Sequence, residues 1–264
     1  MAKKRRIRWD RVAVVAVPIL LIIFLLVKCG GGSNEEKKPS GETSRPSFLY
    51  NSTTQPADQV SVPDEFIVMI DAGHGGKDGG ATNKDGSRLE KDDNLRLSLA
   101  TRDALLQYPH LKVLMTREDD TFISVYDRPK IANEANVDLF VSLHRNTATV
   151  GHGVEIWYNE SENTDLDRKL AEYIMELLEK VGISDNRGVR VGSRGSGTGD
   201  DQDDGYIVNR DTTMPSCLVE MGFMSSDADN RNFDEHLNEY AKAIAEAIVD
   251  VAKDNKLYQP DALT

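Results

Sequence analysis

The sequence predicts an α/β fold: a mixed, mainly parallel twisted sheet of about six strands with helices on both faces. Three observations predict it. From Phe66 onward, short apolar runs of strand length alternate with longer stretches of helical period. Strands interleaved with helices need crossover connections, which make neighbours parallel and cover both sheet faces. The chain has 264 residues and two cysteines, enough to bury a core and too few cysteines to staple one.

The elements follow in chain order. Phe66–Ile70 is a first apolar strand. Asp92 is placed to cap a helix whose Leu95, Leu99 and Leu106 share one stripe. Lys112–Thr116 is the second strand. Ser124–Asn136 is a weaker helix, with Pro129 in its first turns. Leu139–Leu143 and Gly153–Tyr158 are the third and fourth strands. Asp165–Val181 is a helix with Leu166, Leu170, Ile174, Leu177 and Val181 inward. Tyr206–Val208 and Ser216–Val219 complete the strands. A last helix, Leu237–Val251, turns Leu237, Tyr240, Ile244, Ile248 and Val251 to the core. No internal repeat is visible.

Charge divides the chain further. The formal net charge is −12 with pI near 4.9, which argues against a broad grip on nucleic acid phosphates. Yet Met1 to Arg11 holds six basic residues and one acid, and Val12 to Val27 then runs without a polar side chain. That describes a membrane anchor or signal segment over residues 1–29. No small-residue cleavage site follows, and Lys28 beside Cys29 spoils a lipoprotein box. An uncleaved anchor with its N-terminus inside is therefore expected, a cleaved signal being the alternative; in both, the rest of the chain is extracytoplasmic. Residues 30–64, rich in Gly, Ser, Thr, Pro and charge, read as a flexible linker. The folded domain is expected over 65–254, with a C-terminal tail at 255–264.

Three strand ends carry reactive side chains. The first strand runs into Asp71-Ala72-Gly73-His74-Gly75-Gly76, and the third ends at Ser142-Leu143-His144-Arg145-Asn146. The last ends at Leu218-Val219-Glu220-Met221-Gly222-Phe223, where Glu220 is an acid among apolar neighbours. Each histidine alone reads as structural. Two of them with a carboxylate at three strand ends, where α/β sheets bind ligands, point to a metal such as zinc. The third ligand must be chosen among several acids. Glu90, ahead of the first helix, is one, although a solvated first-turn acid would look the same. The glycine-rich stretch is no phosphate loop, because Gly76-Lys77 is followed by Asp78.

Four blocks in register resemble the zinc-dependent N-acetylmuramoyl-L-alanine amidases. They are Ile70–Gly76, Leu89–Asp92 with Asn94-Leu95, Arg128 and Ala132-Asn133 with Asp138–His144 and Asn146, and Pro215 with Leu218–Phe223, within a match from about Phe66 to Lys253. The resemblance implies one Zn2+ held by His74, Glu90 and His144, with Glu220 as the catalytic acid and base. It implies bacterial peptidoglycan as substrate, cut at the amide joining the muramic lactyl group to L-alanine. Arg145 stands where the family commonly has a small residue, so it is expected to alter substrate contact. Asn146, Arg128 and Glu155 are further candidates for substrate contact. The chain is expected to act as a monomer at the cell wall, with the cytoplasmic membrane as partner through its N-terminal segment and no nucleic acid. A protein activator is left open.

Rival readings are a catalytically silent wall-binding module and a zinc peptidase acting on the stem peptide. The first would have lost Glu220 or a ligand. The second has no His-Glu-x-x-His in the chain. His152 with Glu155 is a rival metal pair whose odd spacing puts the two on opposite faces of a strand. Asp200–Asp211 loosely follows a calcium-loop pattern but reads as a solvated acidic loop. Cys217 is expected to be a small core residue.

Overall fold

A computed structural model describes residues 65–160, 162–192 and 204–260. The anchor and linker expected over residues 1–64, and residues 200–203 of the expected acidic loop, lie outside the described residues, whereas Asp204–Arg210 of that stretch is a helix and not a loop. No helix among the described residues is long and apolar enough to cross a membrane.

The elements run β1 (Phe66–Ala72), α1 (Glu90–Leu105), β2 (Leu111–Met115), α2 (Asp127–Glu134), β3 (Leu139–Asn146) and β4 (Val154–Asn159). They continue with α3 (Thr164–Val181), β5 (Asn186–Gly192), α4 (Asp204–Arg210), β6 (Ser216–Phe223) and α5 (Asp227–Asp254). Six strands form one sheet in the order β2-β1-β3-β6-β4-β5. Every pairing is parallel except β4 with β6. The α/β expectation, mainly parallel with helices on both faces, is met.

The period-2 alternation of the strands assigns the two faces. Val68, Ile70, Val141, Leu143, Cys217, Val219 and Ile156 pack with α1, α3 and α5 in the larger core. Met69 and Phe140 point the other way, to a smaller core with Ala132 of α2, Val208 of α4 and Met214. Cys217 is buried and free, as expected of a small core residue.

Several elements differ from expectation. Tyr206–Val208 belongs to the helix α4, not to a strand. Three apolar residues are too few to display a period, and both edges of β6 are already taken by β3 and β4. The sixth strand is instead β5, whose Asn-Arg-Gly-Val-Arg-Val-Gly has no apolar run because it lies half-exposed at the sheet edge. Helix α1 begins at Glu90 with Leu89 as its N-cap residue, so Asp92 is not a cap. Its buried stripe is Glu90, Asp93, Asn94, Leu97, Ser98, Thr101 and Leu105, while Leu106 is exposed. A partly polar buried face gave a misleading leucine pattern.

Helix α5 starts at Asp227, capped by Ser226 Oγ accepting from the Asp229 amide at 3.2 Å, and breaks its helical geometry at His236. The expected Leu237–Val251 is the segment after that kink. The expected tail at 255 is not separate from the domain. Tyr258 is buried against Phe66 with ring centroids 5.8 Å apart, and its hydroxyl donates to the Pro109 carbonyl.

Candidate metal centre

β3 and β6 are parallel neighbours in which His144 stands opposite Glu220. Across the other edge of β6, Glu220 stands opposite Glu155 of β4. Residues in register share a face, so His144, Glu220 and Glu155 form one row across three strands. The face is that of the smaller core, beyond the part that α2 and α4 cover.

His74 reaches this row from the turn after β1. Its backbone has φ +58°, unusual for a residue with a side chain. Two arginines hold that turn by its carbonyls. Arg128 Nη1 donates to Asp71 Oδ1 and to the Ala72 carbonyl, both at 2.7 Å, and its Nη2 to the carbonyls of His74 at 2.8 Å and Ile123 at 2.9 Å. Arg117 donates to the carbonyls of Ala72, Gly73, Lys91 and Asp119. Asp71 completes the brace, accepting from Ser142 Oγ and Thr116 Oγ1, each at 2.6 Å. Burial pushes the Asp71 carboxyl up, but Arg128, Ser142 and Thr116 outweigh it and hold it below the usual range.

Glu90 enters from the first turn of α1. Its Oε1 lies 3.2 Å from His74 Nε2 and 3.0 Å from His144 Nδ1. The two imidazoles meet edge to face with centroids 5.0 Å apart. Taking one atom from each of His74, Glu90 and His144, all lie within 4.8 Å of one another. Two backbone amides steady the carboxylate, Ala81 N–H on Oε2 at 2.8 Å and Arg145 N–H on Oε1 at 3.2 Å. The Asn94 amide donates to Glu90 Oε1 and to the Gly73 carbonyl, tying α1 to the β1 turn.

The electrostatics favour positive charge. Burial pushes the His74 imidazole down, but Glu90 and Asp78 outweigh it and raise it to about 9. Asp78 Oδ2 lies 2.8 Å from His74 Nδ1, the outer contact that orients a ligand imidazole. Burial raises Glu90 too, yet the two imidazoles dominate and hold it well below its usual range. Two imidazoles and a carboxylate converging in a field that stabilises a cation fit a zinc site with a position left open.

Glu220 is unlike the others. Part of the residue reaches solvent, but its Oε2 is buried with no hydrogen-bond partner. Burial raises its carboxyl well above the usual range, and the neighbouring Glu90 and Glu155 add to it. A buried, unpartnered carboxyl oxygen is costly unless it has a task.

The remaining candidates are placed as follows. Arg145 is not a substrate contact: its side chain is fully buried. It donates to Asp93 Oδ2 at 2.5 Å and Asn230 Oδ1 at 2.7 Å, with its guanidinium 4.4 Å from the Phe233 ring centroid. Its length serves to join α1 to α5, because β3's side chain at 145 points into the larger core. Arg128 likewise spends both Nη atoms on the β1 turn, so it braces the site and has no hand free for substrate. Asn146 donates to Glu155 Oε1 at 2.7 Å, and Glu155 is buried and saturated by donors. The rival pair His152 and Glu155 does not converge, since His152 is exposed and faces Asp185 at 3.9 Å. Sequence reading missed Arg117, Asp78 and Asn94, whose roles depend on which carbonyl or ring they meet. Asp78, four residues after His74, had a signal in its spacing.

Comparison with known proteins bears on this geometry. The family described as N-acetylmuramoyl-L-alanine amidase matches residues 68–250. The uncharacterized protein YqiI of Bacillus subtilis (strain 168) is 33% identical over 200 residues, 74% of this chain and 90% of that one. The endolysin of Bacillus phage SPP1 is 34% identical over 192 residues, covering 70% of this chain but 65% of the endolysin, just under two thirds. Among solved structures, an N-acetylmuramoyl-L-alanine amidase from Clostridium difficile 630 superposes with TM-score 0.64 at 29% identity, covering 73% of this chain and 99% of that one. The CwlD amidase from Clostridioides difficile, solved in complex with the GerS lipoprotein, gives TM-score 0.62 at 27% identity over 71% of this chain and 98% of its own.

Proposed function

Because this chain belongs to the N-acetylmuramoyl-L-alanine amidase family, we propose that it hydrolyses the amide between the lactyl group of N-acetylmuramic acid and L-alanine in peptidoglycan. In this reading His74, Glu90 and His144 hold one zinc ion and Glu220 is the catalytic acid and base. The observation that carries it is the buried, unpartnered Oε2 of Glu220 beside three ligand atoms within 4.8 Å.

When bound, zinc supplies Lewis acidity, polarising the amide carbonyl and making water a nucleophile near neutral pH. Glu220 Oε2 takes the proton of the attacking water. The same oxygen then delivers that proton to the nitrogen of the departing amine as the C–N bond breaks. A carboxyl held above its ordinary pKa serves both halves, since it is basic enough to accept and acidic enough to return. Asp78 keeps the His74 ring turned to the site through Nδ1. Arg117 and Arg128 keep the β1 turn from relaxing away.

Outside the folded domain, residues 1–29 serve as a membrane anchor and 30–64 as a tether, putting the domain at the wall. The complex of CwlD with the GerS lipoprotein supports a protein partner for this chain as well.

Glu220→Gln keeps the shape of the side chain and removes its proton transfer. The expected result is unchanged zinc per chain by elemental analysis, with release of free L-alanine amino ends from peptidoglycan reduced by about 10²- to 10⁴-fold. A variant that still turns over at the wild-type rate would remove Glu220 from the chemistry. New amino ends within the stem peptide instead of at L-alanine would make the protein a peptidase.

A further inference from the structure

Glu155 continues the row of His144 and Glu220 towards the sheet edge, and what surrounds it is lopsided. Its Oε1 accepts from Asn146 Nδ2 at 2.7 Å and Trp157 Nε1 at 3.3 Å. Its Oε2 meets two arginines of β5, Arg187 Nε at 2.9 Å and Arg190 Nε at 3.5 Å. One carboxylate is thus shared by two guanidinium cations. Three hydrogen bonds and the second guanidinium's ion pair leave Glu155 little capacity for another ligand.

Both arginines approach Glu155 by the Nε edge, which leaves their terminal forks over. Among the described residues, Arg187 Nη1 and Nη2 have no hydrogen-bond or ion-pair partner, and Arg190 spends only Nη2, on the Arg187 carbonyl at 3.2 Å. The guanidinium planes are fixed, Arg187 over the Phe223 ring at 4.9 Å and Arg190 over the Trp157 ring at 5.5 Å. Their side chains are 31% and 42% exposed, against 8% for Glu155. Fixed planes with open, half-exposed forks are suited to bidentate capture of a carboxylate.

Distance says where that carboxylate would lie on the substrate. Glu220, Glu155 and Arg187 sit on β6, β4 and β5, which are successive neighbours in the sheet. Two strand spacings of ~4.8 Å put the β5 backbone that carries the two arginines ~10 Å from that of Glu220. An extended peptide rises ~3.4 Å per residue, so it covers that span in about three residues.

We propose that Arg187 and Arg190 form a carboxylate-binding subsite that receives a free carboxylate on the second or third residue of the peptide released from the scissile amide. The proposal rests on the amidase reading for the position of the scissile bond. It makes these two arginines determinants of specificity, separating stem peptides with a free carboxylate from those in which it is a carboxamide.

The test uses the full chain with two pairs of soluble N-acetylmuramoyl tripeptides, one pair differing only in a free carboxyl or a carboxamide on the second residue and the other only on the third, with every other carboxyl blocked as the carboxamide. The wild type is expected to favour the acid of one pair in kcat/KM by about tenfold to a hundredfold, the range of one charge-assisted contact. Arg187→Gln and, separately, Arg190→Gln should bring that ratio towards one, chiefly through KM on the acid, with Arg187→Lys between. Each single variant leaves Glu155 one arginine, which guards the fold. Absence of a preference in the wild type in both pairs, or an equal loss on acid and carboxamide in the variants, would overturn the subsite. If no substrate is cut, the amidase reading fails, and calorimetric binding of each free tripeptide acid and its carboxamide still decides the subsite. Acid-selective binding in one pair that Arg187→Gln abolishes supports it, and equal binding of acid and carboxamide in both pairs rejects it.

Discussion

Gly73 carries no side chain because the ring of His144 occupies the place one would take. A Cβ there would stand 2.2 Å from Cε1 and 2.3 Å from Nε2 of that ring. Gly80 is constrained in the same way, with φ +64° and a Cβ position 2.7 Å from both Glu90 Oε2 and His74 Cδ2. Backbone must pass this close because the side chains of His74, Glu90 and His144, from three elements, converge with one potential ligand atom each within 4.8 Å of one another. Gly73→Ala should therefore displace the His144 ring. We expect zinc per chain to fall below half and activity to fall with it. The fold should lose only about 1–3 kcal/mol in chemical denaturation, the usual cost of overpacking. A variant that binds zinc stoichiometrically would show that His144 has room to spare. At this scale the sequence was informative where chemistry is carried by residue type: two histidines and a buried acid in a sheet stand out in any reading. By residue type alone Glu90 was one acid among several; the family resemblance singled it out, and its Oε1 lies 3.2 Å from His74 Nε2 and 3.0 Å from His144 Nδ1. Arg145 was misjudged because an arginine beside a ligand suggests a substrate contact, and only the strand's alternation shows that it faces the core.

Helix α2 contributes to the site one side chain, Arg128, and through it the conformation of the β1 turn. Asp71 at the end of β1 is the counter-charge, buried with Ser142 of β3 and Thr116 after β2. Because these partners hold the folded carboxyl below its ordinary value, its stabilisation is complete above the unfolded pKa of about 3.9. It is lost as pH falls through the lower folded value. Asp71→Asn leaves the Arg128 guanidinium buried without its counter-charge, a cost of about 3–5 kcal/mol near pH 7. Urea denaturation should show that difference at pH 7 and a smaller one at pH 3, where protonation of the unfolded carboxyl, with its pKa of about 3.9, already erodes the wild type's advantage. A difference that stays constant down to pH 3 would mean that Asp71 works as a hydrogen-bond acceptor alone. Elements were legible in proportion to their burial. β1, β3 and β6 are buried on both faces and announce themselves as apolar runs that the structure extends by two to four residues. β5 lies at an edge with two arginines and a positive-φ glycine, so it carries no strand signal, and Tyr206–Val208 carried a false one.

Across the whole molecule the net charge of −12 divides unevenly. Residues 1–29 hold seven basic groups and one acid, leaving 25 basic against 43 acidic in residues 30–264. Under the proposed function this acidic portion must approach a wall whose polymers are themselves anionic. Repulsion between the two acts over the Debye length, which is ~30 Å at 0.01 M salt and ~8 Å at 0.15 M. At low salt the field reaches well beyond the contact zone, and at physiological salt it is confined to it. Arg187 and Arg190 offset it only locally, beside Glu155. The rate on intact anionic walls should accordingly rise several-fold between 10 and 150 mM salt. A small, uncharged muropeptide carries no such field, so its turnover should stay flat over the same range. Parallel salt curves on the two substrates would place the effect in the active site instead. A rate on walls that falls with salt would mean that the domain binds them through a positive surface, against the charge that residues 30–264 carry.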